Sequence, residues 1–147
     1  MFALSIPHWL AAASLAAVAF AGFVAPANAQ QSVAPNRVVM QVSDADTGKW
    51  NLALNNARNL QSDLGAKNIE IEIVAYGPGI GMLKLDSVVG NRVGEALAGG
   101  VRIIACENTM RGQKLARSDM LDGVGYVDAG VVEIIERQQQ GWAYLRP

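Results

Sequence analysis

Cys106, the only cysteine of the 147-residue chain, is the residue best suited to chemistry. It follows residues 101–105, which are apolar except for Arg102 and predict a strand, so the thiol is expected at a strand end. Asn108 or Thr109 could cap a following helix, whose free N–H groups would favour the thiolate, the nucleophilic and sulfur-accepting form. The alternative is inert packing, because cysteine is among the most buried residue types.

Two charged neighbours would act on this thiol in opposite directions. Arg111, one helical turn further on, would favour the thiolate and could bind an anion beside it. Glu107 would disfavour the thiolate unless its side chain points away. Both residues are therefore candidates for tuning Cys106.

A carboxylate pair and a glycine-rich loop are the other candidate sites. Asp44 and Asp46 could serve acid/base or metal chemistry, but two carboxylates without a third ligand are better explained by a turn and a helix cap. Gly77 and Gly79 belong to the loop 77–81, whose spacing fits neither the dinucleotide fingerprint nor the P-loop. We expect a tight turn that a neighbouring loop or subunit approaches closely. No metal site and no cofactor are predicted.

The first 29 residues predict export. They contain no Lys, Arg, Asp or Glu, and they end in Ala27-Asn28-Ala29 after an apolar core, as secretory signals do. Cleavage would leave Gln30 as the N-terminus of a periplasmic protein; the alternative is an uncleaved leader that tethers it to the membrane. The only histidine, His8, would leave with the leader, which excludes Ser–His and Cys–His catalysis within one mature chain.

The mature chain is predicted to consist of a polar lead-in, 30–36, and one domain, 37–147. Its formal net charge of −1 and the lack of a basic cluster argue against nucleic acid as a partner. It has no second long apolar run, so no membrane association is expected after cleavage.

Apolar periodicity predicts strands alternating with helices. The expected strands are 38–42, 69–76, 101–106, 124–127 and 142–145, and the expected helices are 49–64, about 86–98, one or two turns within 108–120, and 130–140. This alternation predicts an α/β fold, a single three-layer domain whose parallel sheet of about five strands has helices on both faces, in a flavodoxin-like layering. Val88 of the second helix and Val131, Val132, Ile134 and Ile135 of the last are expected to face inward. The alternating start of the second strand suggests that one of its faces is exposed.

Five segments resemble the DsrE/DsrF-like family. They are VVMQVSD at 38–44, NNARNL at 55–60, IVAYGPG at 73–79, GVRIIACENT at 100–109 and GWAYLRP at 141–147. The resemblance covers residues 37–147 and implies a small parallel-sheet domain that assembles as trimers or hexamers. It also implies that a cysteine at the end of the third strand, here Cys106, accepts sulfur as a persulfide and passes it between proteins. The family's sulfur relays are cytoplasmic, whereas this chain is predicted to be exported.

Two functions follow as expectations. The first is a periplasmic sulfur carrier or thiol-handling protein, at most a sulfurtransferase-like enzyme, with a persulfide on Cys106 and a protein as sulfur donor or acceptor. The second is a non-catalytic oligomeric binding module, in which a cleft at the strand ends takes a small ligand or a protein and Cys106 is merely packed. In either case the binding residues are expected among Asp44, Gly77, Gly79, Glu107, Asn108, Thr109 and Arg111.

Overall fold

The computed structural model describes residues 36–147, which form one five-stranded, wholly parallel sheet. Its strands are β1 (Asn36–Val42), β2 (Ile69–Ala75), β3 (Arg102–Cys106), β4 (Gly125–Val127) and β5 (Ala143–Leu145), in the order β4-β3-β2-β1-β5. Its helices are α1 (Thr47–Leu64), α2 (Gly90–Ala98), α3 (Glu107–Gly112) and α4 (Gly130–Gln139), with 3₁₀ segments at Gly77–Leu83 and Arg117–Asp119. The α/β fold class is thereby confirmed. The predicted leader, 1–29, and the lead-in up to residue 35 lie outside the described residues.

The main core lies between one face of the sheet and helices α1 and α2. Alternate residues of the central strands point into it, including Met40 of β1 and Ile73 of β2, because successive strand side chains point to opposite faces. Trp50 and Leu54 of α1 meet them at helical spacing. Asp46 caps α1 as predicted, its carboxylate accepting the Gly48 N–H at 2.7 Å. None of the helices within residues 36–147 is both long and apolar enough to cross a bilayer.

Helix α4 covers the opposite face of the sheet, where Ile134 packs in a second, smaller core. The prediction that Val131, Val132 and Ile135 face inward is wrong. These side chains are 49%, 48% and 53% exposed. The sheet-facing positions of α4 are taken instead by Gly130 and Ile134, which are buried, and by partly buried polar residues.

A charged network beneath α4 explains this orientation. Glu72 of β2 is fully buried, contrary to the expected exposure of its strand face, and its carboxylate lies 3.0 Å from Arg137 Nε and 2.9 Å from an Arg102 nitrogen. Arg137 also binds Glu133 at 2.7 Å, and the Trp142 ring lies 5.1 Å from the guanidinium carbons of both arginines. Burial raises the pKa of Glu72, while both arginines act in the opposite direction. The buried carboxylate therefore draws the polar face of α4 toward the sheet.

The second helix begins later than predicted. Helix α2 starts at Gly90, and Val88, predicted to be inward, is 81% exposed. Before it, Lys84 forms a bridge with Met120 and the Leu85 N–H donates to the Asp119 carbonyl at 3.0 Å, after which the chain runs through turns up to Gly90. These contacts with a distant segment delay the start of the helix.

Candidate functional site

Cys106 lies where the chain connections of two neighbouring strands leave the sheet in opposite directions. After β3 the chain enters α3, whose Met110 packs into the main core, whereas after β4 it enters α4 on the other face. In open parallel sheets such divergence at the carboxyl ends of strands opens a crevice where ligands bind. Cys106 is 5% exposed in this position.

The N-cap of the helix after β3 lies two or three residues earlier than predicted. Cys106 itself occupies the N-cap position, and α3 starts at Glu107. Asn108 and Thr109, expected to be caps, lie instead in the first turn, where amide N–H groups have no partner within the helix. Of these N–H groups, that of Asn108 donates to the Asp128 carbonyl at 3.0 Å, which ties the start of α3 to the connection between β4 and α4.

Burial and nearby hydrogen-bond donors act on the pKa of Cys106 in opposite directions. The donors are the backbone N–H of Gly130, the Thr109 side chain, and the backbone N–H groups of Thr109 and Asn108. Burial alone would raise the pKa of Cys106, but these donors outweigh burial, and the pKa is lowered from the ordinary value. The site thus stabilises a sulfur anion in a nearly buried position.

Gly130 allows the start of α4 to lie close to Cys106. A Cβ atom at Gly130 would lie 3.1 Å from Val74 Cγ1 and 3.2 Å from Cys106 Cβ, tighter than ordinary packing. The Cys106 thiol donates to the carbonyl of Asp128, in the same connection, at 3.9 Å. Neither Gly130 nor Asp128 was predicted from the sequence as part of the site. The short connector between the predicted fourth strand and the last helix contains both residues. It could have been assigned to the site only if the pairing of β4 with β3 had been known.

The glycine-rich segment contributes to the site through Gly77. Its φ of +52° is in the region that favours glycine, and its N–H donates to Thr109 Oγ1 at 2.9 Å. Its carbonyl accepts from Gln113 Nε2 at 3.2 Å. A Cβ atom at Gly79 would lie 2.2 Å from the Val42 carbonyl oxygen, which is the close approach expected of this loop.

The charged neighbours of Cys106 bind other side chains. Glu107 accepts from Arg117 Nε at 2.9 Å, which lowers the pKa of Glu107, and Arg117 stacks 4.3 Å from the centre of the Tyr126 ring. Arg111 donates to the side chain of Asn108. The Glu107 carboxylate is therefore paired with an arginine, and the role of Arg111 beside Cys106 stays a prediction.

Asp44 lies at the end of β1 and pairs with cations. Its carboxylate lies 2.9 Å from Lys49 Nζ and 3.5 Å from an Arg146 nitrogen, and Lys49 lowers the pKa of Asp44. These ion pairs give the Asp44 carboxylate a structural role, as expected of a turn residue. Within residues 36–147, no three His, Cys, Asp or Glu side chains are grouped to hold a metal ion.

Comparisons with known proteins agree with this architecture. Residues 37–147 match the sequence model of the DsrE/DsrF-like family. The chain belongs to the DsrE/DsrF-like family. This DsrE/DsrF-like chain has no significant match among curated proteins.

Three solved structures resemble this family member. A protein of unknown function from Methanobacterium thermoautotrophicum, MTH1491, is 41% identical, with a TM-score of 0.73 over 76% of this chain and 99% of that one. The conserved protein of unknown function BT1422 from Bacteroides thetaiotaomicron is 17% identical, with a TM-score of 0.62 over 76% of this chain and 95% of that one. The ychN protein from E. coli is 14% identical, with a TM-score of 0.57 over 76% and 99%. The last two likenesses concern the fold alone.

Proposed function

We propose that this DsrE/DsrF-like protein carries sulfur in the periplasm as a persulfide on Cys106. The observation that carries the proposal is the position of Cys106, nearly buried at the end of β3 and at the N-cap of α3, where donors from Gly130, Thr109 and Asn108 lower its pKa. The same donors would stabilise the thiolate before sulfur is accepted and the persulfide anion afterwards. The family is associated with sulfur relay in general, which agrees with this chemistry.

The proposed loading step is an exchange between sulfur atoms. The Cys106 thiolate attacks the outer sulfur of a donor persulfide, a new bond forms from Sγ to that sulfur, and the donor's S–S bond breaks. The donor leaves as a thiolate, so the exchange needs no external oxidant or reductant. Delivery is the same reaction with an acceptor thiolate attacking the outer sulfur, and it returns Cys106 as a thiolate.

Intact mass spectrometry of protein recovered from the periplasm tests this proposal. After exposure to a small-molecule persulfide, we expect a species that begins at Gln30 and has gained the mass of one sulfur atom. Reductant should remove that mass, and Cys106→Ser should prevent its addition while the protein stays folded. A thiol that stays unmodified would rule out the carrier function, and a mass that includes Met1 would rule out cleavage of the leader.

The 5% exposure of Cys106 favours a second candidate, a binding module with a packed cysteine. The two functions differ in the reactivity of the folded protein toward a thiol reagent. A carrier should be labelled rapidly, with a rate that rises with pH as the thiolate forms. A packed cysteine should be labelled only as fast as the protein opens or unfolds.

We also propose that the protein is a homo-oligomer, a trimer or hexamer, in which the outer face of α4 is buried. Half-exposed Val131, Val132 and Ile135 form an apolar surface on this helix, of the kind that marks interfaces. Ile135→Glu should therefore lower the molar mass measured by light scattering. Leu52→Glu, a change of similar exposure on α1, is the matched control and should leave the molar mass unchanged. A wild-type monomer, or an Ile135→Glu protein of unchanged mass, would contradict the proposal.

A further inference from the structure

The connection between β4 and α4, residues 128–130, packs directly against Cys106. Its Asp128 carbonyl accepts two hydrogen bonds, one from the Cys106 thiol at 3.9 Å and one from the Asn108 N–H at 3.0 Å. At the other end of the connection, a Cβ atom at Gly130 would lie 3.2 Å from Cys106 Cβ, so the backbone there is already close to the cysteine. The connection therefore closes over a side chain that is 5% exposed.

Sulfur exchange needs more room at Cys106 than this closed arrangement leaves. The proposed loading reaction forms a bond of about 2.05 Å from Sγ to a second sulfur atom, and the donor must approach along that bond. The thiol loses its proton before the attack, and a thiolate cannot donate a hydrogen bond to the Asp128 carbonyl. Ionisation of Cys106 thus removes one of the two hydrogen bonds that hold the connection in place.

The start of α4 lacks the features that fix a helix end. Ala129 occupies the N-cap position, and no side chain within residues 36–147 caps the helix there, whereas Asp46 caps α1. The first residue of α4 is Gly130, the residue type that loses most backbone freedom when it becomes helical. Farther along, Ile134 packs in the smaller core, so the connection can move while the rest of α4 stays on the sheet.

We propose that the connection 128–130 is a gate, which opens at the uncapped start of α4 and exposes Cys106 for sulfur exchange. The inference rests on the proposed function, since the acceptor sulfur of a carrier must reach the sulfur of its partner. In the closed state the gate shields the thiol from reagents in solution. Because a local opening costs less free energy than global unfolding, Cys106 still reacts much faster than the protein unfolds.

Capping α4 tests the gate. In Ala129→Ser and Ala129→Asn, the new side-chain oxygen can accept an N–H of the first turn, which stabilises the helix start and with it the closed state. Ala129 borders a surface groove, so the added atoms meet solvent rather than packed side chains. We expect alkylation of Cys106 by iodoacetamide at pH 7 in the folded protein to slow about fivefold in both variants. Loading by a small-molecule persulfide should slow by the same factor.

Gly94→Ala is the matched control, because it stabilises α2, a helix on the other face of the sheet. Apart from the adjoining backbone of α2, no atom of residues 36–147 lies within 4 Å of a Cβ atom built at Gly94. If Cys106 reacts through the gate, the Gly94→Ala protein is alkylated at the wild-type rate, and all four proteins react alike when unfolded in urea. Equal rates in folded wild type and both capping variants would overturn the proposal. So would a Gly94→Ala protein that is slowed as much as the capping variants, because the reaction would then proceed through global unfolding.

The outcome for the gate is separable from that of the sulfur-carrying proposal. A wild type that does not accept sulfur, together with slower alkylation of the capping variants, would refute the carrier and leave the gate standing. A wild type that accepts sulfur, together with equal alkylation rates, would refute the gate alone.

Discussion

Replacing Gly79 by alanine is expected to lower the free energy of unfolding by about 3 kcal/mol, the upper part of the usual range for overpacking. The added Cβ atom would lie 2.2 Å from the carbonyl oxygen of Val42, 2.6 Å from its carbonyl carbon and 2.9 Å from the Ser43 nitrogen. All three are backbone atoms at the end of β1, and they cannot move aside as the tip of a flexible side chain can. Either β1 or the 3₁₀ segment must therefore shift, and urea denaturation measures the cost.

Gly94→Ala is the matched control for this substitution. Gly94 lies within α2, and apart from the adjoining backbone of that helix no atom of the described residues lies within 4 Å of a Cβ atom built there. Alanine favours the helix, so this change should raise the free energy of unfolding by about 0.5–1 kcal/mol. A Gly79→Ala protein as stable as wild type would show that β1 and the loop are not in close contact.

Most of the fold could be predicted from sequence because its signals are local. The apolar strands, the helical spacing of Trp50 and Leu54, and the capping aspartate Asp46 each depend on a few neighbouring residues, and all three were confirmed. Local signals could not predict which face of α4 packs against the sheet. Because Val131, Val132 and Ile135 are apolar, they are expected to face the sheet. Glu72, which draws the polar face of α4 toward the sheet instead, lies some sixty positions earlier in the chain.

The candidate site was partly predictable for the same reason. The position of Cys106 at the end of a strand, and the proximity of Gly77 and Thr109, follow from the rule that parallel strands end at one edge. The contribution of Gly130 depends on the pairing of β4 with β3, which the sequence does not indicate. The roles of Glu107 and Arg111 depend on their side-chain partners Arg117 and Asn108, which local spacing does not determine.

The charged network beneath α4 leads to the second prediction of large effect. Glu72→Ala should lower the free energy of unfolding by about 3 kcal/mol, because it leaves the mostly buried Arg137 with Glu133 as its one remaining carboxylate partner within residues 36–147. This figure is at the low end for a broken buried ion pair, since Arg102, the other partner of Glu72, is half exposed and can be hydrated. Glu72→Gln keeps the volume and one acceptor oxygen, so it should cost less, about 2 kcal/mol.

Glu70→Ala is the control, because Glu70 precedes Glu72 by two positions on the same strand and is exposed. A surface substitution of this kind should change stability by no more than about 0.5 kcal/mol. Arg137→Ala should be costly in wild type and much cheaper in the Glu72→Ala protein, since its main partner is then already gone. Equal costs in both backgrounds would show that the two residues do not interact, and α4 would then be held to the sheet by Ile134 and Trp142 of the smaller core alone.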